Sequence, residues 1–301
     1  MKLDWRRGTV DANGVELAVE ECGSPRGEPL LLIMGLGGQL IHWPDALCAA
    51  LAARGFRVIR FDNRDIGLSA ECKRGVRINL QSTFVRARLG LKIDANYGLH
   101  EMAADSVNLL DALEIPAAHV AGVSMGGMIS QIVAGSYPQR VKSLCSIMSS
   151  TNHPYLPAPK PRVLWHMSGI GIRDHSREAV VERSVKFFQM VGSPGYPMPP
   201  EYRRELSGRA YDRAYRPGGL LRQTHAIMAT GSFESLLPQI RVPTQIIHGL
   251  ADPLVRPAGG QRSARLIPGA RLELIEGMGH DIPAGLLPRW TELIAANAGR
   301  A

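Results

Sequence analysis

Ser124 is flanked as a nucleophile should be. It lies in Gly122-Val123-Ser124-Met125-Gly126, between a β-branched run (His119-Val120-Ala121) and a small-residue helical segment that begins at Gly127. A G-x-S-x-G turn between strand and helix can present a serine hydroxyl for attack, and its glycines let neighbouring backbone approach without a Cβ in the way. At the glycine and serine content of this chain the pentapeptide arises by chance roughly 0.2 times, so the weight falls on its surroundings. A serine hydroxyl is a poor nucleophile near neutral pH and needs a base beside it. Imidazole can take and return a proton near pH 7, and a carboxylate then fixes its tautomer and stabilises it once protonated.

Of the nine histidines, His280 in Gly277-Met278-Gly279-His280-Asp281 follows the last strand-like run, in a glycine-rich loop that lets it reach back. His248, inside a strand, and His119, at the start of one, read as structural. The acid is expected at Asp252, in His248-Gly249-Leu250-Ala251-Asp252-Pro253, at the C-terminal strand edge where α/β sites assemble. The competing position, just after residues 141–148, offers Ser149, Ser150, Thr151 and Asn152 and no carboxylate. Asp281 reads as a local loop acid, because adjacent side chains rarely point at each other. An oxyanion formed on attack needs two preorganised N–H donors. Met125 supplies one from the helix start, and Gly35-Leu36-Gly37-Gly38 should supply the other at the Leu36 N–H.

These residues need a sheet edge to meet on, and the chain predicts one. Asn13-Gly14 is a hairpin signal. Apolar strand-like runs follow at residues 30–34, 56–61, 119–121, 141–148, 244–248 and 272–275, with helical stretches at 44–54 and 100–113 among them and a last one at 287–296. Strands alternating with helices of this length mean βαβ units and a mostly parallel sheet, here an eight-stranded one flanked by helices. Residues 151–238 break the alternation with two proline-rich stretches and helical segments at 177–191, 201–215 and 220–236. They read as a helical cap inserted into a core formed by residues 1–150 and 239–301. Residues 72–98 read as a long irregular connection edging the same mouth.

Composition narrows the field. The net charge of +8 comes from 35 basic residues against 27 acidic ones, spread along the chain without an aromatic-interleaved stripe, so no nucleic-acid partner is expected. No apolar run is long enough for a membrane span, and no apolar leader follows Met1, so the default location is cytoplasmic. The four cysteines lack metal or disulfide spacing, and Cys145 reads as a small buried thiol. Neither glycine cluster fits a phosphate loop or a dinucleotide fingerprint.

The ordered set Ile33-Met34-Gly35-Leu36-Gly37-Gly38, Asp62-Asn63-Arg64-Asp65-Ile66-Gly67-Leu68-Ser69, Gly122-Val123-Ser124-Met125-Gly126-Gly127, Gly249-Leu250-Ala251-Asp252 and Gly279-His280 resembles the α/β-hydrolase superfamily. Within it the chain is similar to capped bacterial carboxylesterases of the aclacinomycin methylesterase type. Two positions depart from the pattern: Met34 stands where histidine is common, and Asp65 where glycine is frequent. The resemblance implies the α/β-hydrolase fold, cleavage of a small-molecule ester, no metal and no organic cofactor. Lactonase, C–C bond hydrolase, perhydrolase and aminopeptidase chemistry share the scaffold, the last needing acids such as Glu201, Glu205 or Glu234 for a substrate ammonium. A non-catalytic receptor of the same fold is expected to lose one of Ser124, Asp252 or His280, and this chain keeps all three. Gly35, Trp165, Phe187 and Phe188 are expected in the pocket wall, with Met167 and Met190 adding apolar bulk. A homo-oligomer is compatible with the sequence.

Overall fold

The strand and helix signals resolve, in a computed structural model that describes residues 3–72, 75, 76, 78–168 and 174–301, into one sheet and ten α-helices among those residues. The strands are β1 (Arg6–Asp11), β2 (Glu16–Cys22), β3 (Glu28–Ile33), β4 (Phe56–Phe61), β5 (Ala118–Val123), β6 (Val141–Ile147), β7 (Thr244–Gly249) and β8 (Arg271–Ile275). Their spatial order is β1-β2-β4-β3-β5-β6-β7-β8, antiparallel at β1–β2 and β2–β4 and parallel elsewhere. The expected eight-stranded, mostly parallel sheet is the one observed. Asn13 and Gly14 turn the first hairpin with φ of 58° and 86°.

Side chains alternate across each strand, so β3 feeds two cores. Leu31 and Ile33 join one apolar cluster, Leu30 and Leu32 the other. Helices α3 (Leu99–Ala112) and α4 (Met125–Ser136) cover the first face. Helices α1 (Asp45–Ala53) and α10 (Leu287–Ala298) cover the second. From β3 the chain steps to β4 on one side and later returns as β5 on the other. The crevice beyond their C-terminal ends is where an open α/β sheet binds its ligand.

Between β6 and β7 lie α5 (Pro161–Met167), α6 (Arg177–Val191), α7 (Pro200–Arg213) and α8 (Pro217–Thr230), with no strand among the described residues. The helix expected over 220–236 divides in two: α8 stops at Gly231, whose φ is 62°, and a 3-10 turn, Glu234–Gln239, follows. The proline-rich approach hid α5, which starts on Pro161, a favourable first-turn residue. The connection read as irregular contains α2 (Leu80–Arg88), capped where the Asn79 side chain accepts the Ser82 N–H at 3.1 Å. Its residues 73, 74 and 77, and 169–173 of the insertion, lie outside the described residues. Helix α9 (Ala258–Leu266) packs beside β7 and β8. No helix among the described residues is long and apolar enough to cross a membrane.

Candidate active site

Ser124 stands between β5 and α4 with φ 54° and ψ −122°. A non-glycine residue in such a conformation is strained and must be held by its surroundings. The holding is visible in the glycines. A Cβ on Gly122 would collide with the Gly126 carbonyl and Ser130 Oγ, and one on Gly126 would collide with the Ile33 carbonyl. The turn therefore closes only with glycine at both positions, and it presses α4 against the end of β3. Ser149, two residues past the end of β6, donates to the Ser124 carbonyl at 2.8 Å.

His280 Nε2 lies 3.0 Å from Ser124 Oγ, and its Nδ1 lies 2.7 Å from Asp252 Oδ2. Nδ1–H donates to the Asp252 carboxylate, which leaves the Nε2 lone pair facing the serine hydroxyl. Asp252 is fully buried and accepts the Leu254 and Val255 N–H groups at 2.8 and 2.9 Å on its other oxygen. Burial is the largest influence on its pKa and raises it; the charge of His280 and hydrogen bonds from His248 and His280 outweigh it, holding the carboxyl down at about 2. His248 donates to the Val255 carbonyl at 2.8 Å and lies 3.6 Å from Asp252 Oδ2, beside the acid and away from the serine. The array can move a proton from Ser124 to His280 while an ionised Asp252 steadies the imidazole.

Gly35 sits against the serine: a Cβ there would lie 3.2 Å from Ser124 Cβ. The turn it opens is pinned where Gly38 N–H meets the Gly35 carbonyl at 3.1 Å and Gly37 N–H meets Gln223 Oε1 of α8 at 2.9 Å. Leu36 N–H meets no acceptor among the described residues. Met125 N–H, the first of α4, has no intrahelical partner by geometry. Met34 lines the same space with its side chain against Gly38, and Asn63 holds its carbonyl at 2.9 Å.

Ser124 and His280 open into a cavity of about 1750 Å³, larger than the roughly 300–1,000 Å³ usual for small-molecule sites. Gly35, Phe187, Phe188 and Met167 line it, joined by Phe84 and Leu91 from the connection that carries α2. Burial, with Arg203, Arg213 and Arg209 nearby, holds His42 in the wall down at about 4, so it is a neutral imidazole at pH 7. Trp165 does not join the wall as expected: it is 70% exposed on the outside of α5. Val163 is the buried residue of α5, and two positions on, at 100° per residue, a side chain points the opposite way. Met190 also lies outside the wall. Glu201 and Glu205 are exposed away from the cavity, and Glu234, in its wall, is paired with Arg262 at 2.9 and 2.8 Å, so none of the three offers the cavity an unpaired carboxylate for an ammonium. Cys145 is buried in β6, where burial pushes its thiol up to about 12.

Sequence reasoning missed residues that join the insertion to this site. Arg213 of α7 donates to buried Asp62 at 2.6 Å, Gln223 of α8 bridges Gly37 and the Arg64 carbonyl, and Arg203 of α7 pairs with Asp281. All of them lie far in sequence from the groups they hold.

Residues 28–283 match the family described as the alpha/beta hydrolase fold, and the chain belongs to it. Rhodomycin D methylesterase DnrP of Streptomyces peucetius is 29% identical over 289 residues, covering 89% of this chain and 90% of that one. A putative carbamate hydrolase, RutD of Pseudomonas savastanoi pv. phaseolicola, is 26% identical over 264 residues, covering 87% and 90%. Among solved structures, the meta-cleavage product hydrolase CumD of Pseudomonas fluorescens superposes with a TM-score of 0.75 at 21% identity, covering 97% of each chain. An enol-lactonase of Burkholderia xenovorans reaches a TM-score of 0.70 at 21% identity, covering 98% of this chain and 100% of that one. The structural likenesses speak to the fold; the methylesterase relative agrees with the resemblance read from the motifs.

Proposed function

We propose that the chain is a serine hydrolase that cleaves carboxylic esters through an acyl-enzyme, with residues 151–238 serving as its cap. The observation that carries this reading is the hydrogen-bonded series Ser124–His280–Asp252 on a strained turn at the sheet's switch point. Ser124 Oγ attacks the ester carbonyl as its proton passes to His280 Nε2. The oxygen that gains charge is met by the Leu36 and Met125 N–H groups. His280 then protonates the departing alcohol, and the same imidazole activates the water that releases the acid.

The size and apolar wall of the cavity favour an ester of a bulky apolar acid with a small alcohol, as well as acyl chains of short to medium length. The methylesterase relatives support the same direction. The reading is tested by kcat/KM on methyl and p-nitrophenyl esters beside lactones, peptide amides and C–C hydrolase substrates. Esters should lead, and Ser124→Ala should abolish their turnover. Activity confined to another class, or surviving in Ser124→Ala, overturns it.

A further inference from the structure

The loop that carries His280 is stitched to the cap. Val191, the last residue of α6, accepts the His280 N–H at 2.7 Å. Two residues on, Ser193 Oγ accepts the Gly279 N–H at 2.8 Å and donates to Asp281 Oδ1 at 2.5 Å. Gly195 N–H reaches the Gly277 carbonyl at 2.9 Å. Arg203 of α7 donates to the other oxygen of Asp281. Its guanidinium carbon lies 4.4 Å above the Phe188 ring. Arg203 is 8% exposed and Asp281 3%.

Stability alone is a poor account of this pair. Burial is the largest influence on both partners: it pushes the Asp281 carboxyl up against the opposing effects of Ser193 and Arg203, and pushes the Arg203 guanidinium down against Asp281. A buried pair of this kind adds little that apolar residues of the same volume would not. What it adds is position. Asp281 is joined to His280 by a peptide bond, and both its oxygens are held by cap residues. Arg203 and Phe188 meanwhile form part of the cavity wall.

Resting on the reading of His280 as the proton carrier, we propose that Arg203, Asp281 and Ser193 are positioning residues that align the His280 imidazole with Ser124 when the cap is seated. Anything that shifts Phe188 and Arg203, including the bulk of a bound substrate, is felt at His280 through Asp281. Cavity occupancy and readiness of the base are thereby coupled. The charged and titratable groups around His280 are Asp252 in front of it, His248 behind Asp252, and Asp281 with Arg203 on the cap side.

The test uses the full chain as Arg203→Met, Asp281→Asn, the double variant Arg203→Met/Asp281→Asn, and Arg203→Lys, each shown folded by circular dichroism and thermal melting. In either single variant kcat for a small p-nitrophenyl ester should fall about ten- to a hundredfold with KM changed less than about threefold, the mark of misalignment rather than lost binding. The acid limb of kcat/KM should move in opposite directions. In Arg203→Met the uncompensated Asp281 carboxylate favours protonated His280, and the limb moves up in pH. In Asp281→Asn the uncompensated guanidinium disfavours it, and the limb moves down. A loss of packing alone would not reverse sign between the two. Arg203→Lys should regain part of kcat. If a single variant does not fold, the double variant, which buries no unpaired charge, should fold with low kcat and a near-normal limb. Folded variants with kcat within about twofold of the parent and a stationary limb overturn the coupling. His280→Ala separates the two ideas: if it is inert while Arg203→Met is normal, only the coupling falls, and if it is active, the reading beneath it falls as well.

Discussion

Arg222 of α8 grips Asp65, in the turn after β4, through two N–H donors at 2.9 and 2.7 Å. Asp65 is fully buried and also accepts the Tyr97 hydroxyl at 2.5 Å and the Cys72 N–H at 2.7 Å. Its φ is 74°, in the left-handed region, which explains why glycine is frequent at this point of the motif. Aspartate tolerates that region better than most residues. Here it converts a turn position into a bolt between core and insertion, with Arg213–Asp62 as a second bolt from α7.

Asp65→Gly should relieve about 1 kcal/mol of backbone strain. It also strips Arg222 of its bidentate partner and Tyr97 of its acceptor, at a cost of about 2–3 kcal/mol. The expected balance is a loss of about 1–2 kcal/mol by urea denaturation, with faster proteolysis within residues 151–238. Unchanged or higher stability would show that the bolt carries no weight.

The pH profile should have a single acid limb. Attack needs neutral His280, so kcat/KM falls as that imidazole takes up a proton. Asp252 does not contribute to the limb, because its carboxyl stays ionised down to about 2. Asp252→Asn should cost roughly 10⁴ in kcat through the wrong imidazole tautomer while leaving the protein folded. Near-parent activity in Asp252→Asn would place the acid elsewhere.

An apolar cavity should reward added methylenes until it is full. Each buried CH₂ stabilises by about 0.8 kcal/mol, so kcat/KM should climb by up to about fourfold per carbon from acetyl upward and then drop. Phe187→Ala or Phe188→Ala should carry the optimum to larger esters, since both rings stand in the wall. Phe187→Ala should leave the pH profile in place. A flat series, or a demand for a charged substrate, would sink the apolar-pocket idea and leave the serine chemistry standing.

The sheet was legible because strands of a parallel sheet are apolar on both faces and glycine marks their exits. Ser124, Asp252 and His280 could be picked out for a related reason: each follows a readable strand at the C-terminal edge that the parallel strands share. Arg203 and Ser193 left no such trace, since they sit 78 and 88 residues from Asp281 and no local pattern links them. Beside His280, Asp281 looks like a loop acid, and nothing local announces the Ser193 and Arg203 side chains that the fold brings to it. The outward position of Trp165 is not legible because α5 has no readable periodicity in its proline-rich setting, and without the phase of a helix the side an indole faces is undetermined. Asp65 looked like a departure from a glycine motif, and only the packing of α8 shows what it holds.

In the proposed reaction Ser124 carries the acyl group. Rapid mixing with a p-nitrophenyl ester should release a burst of about one equivalent of p-nitrophenol per chain. Acid quenching followed by peptide mass spectrometry should then find the acyl mass on the peptide containing Ser124. Ser124→Ala should give no burst and no adduct, with kcat lowered on the order of 10⁶. An acyl group on another residue, or Ser124→Ala retaining more than a few per cent of the parent's turnover, would show that another group carries the reaction.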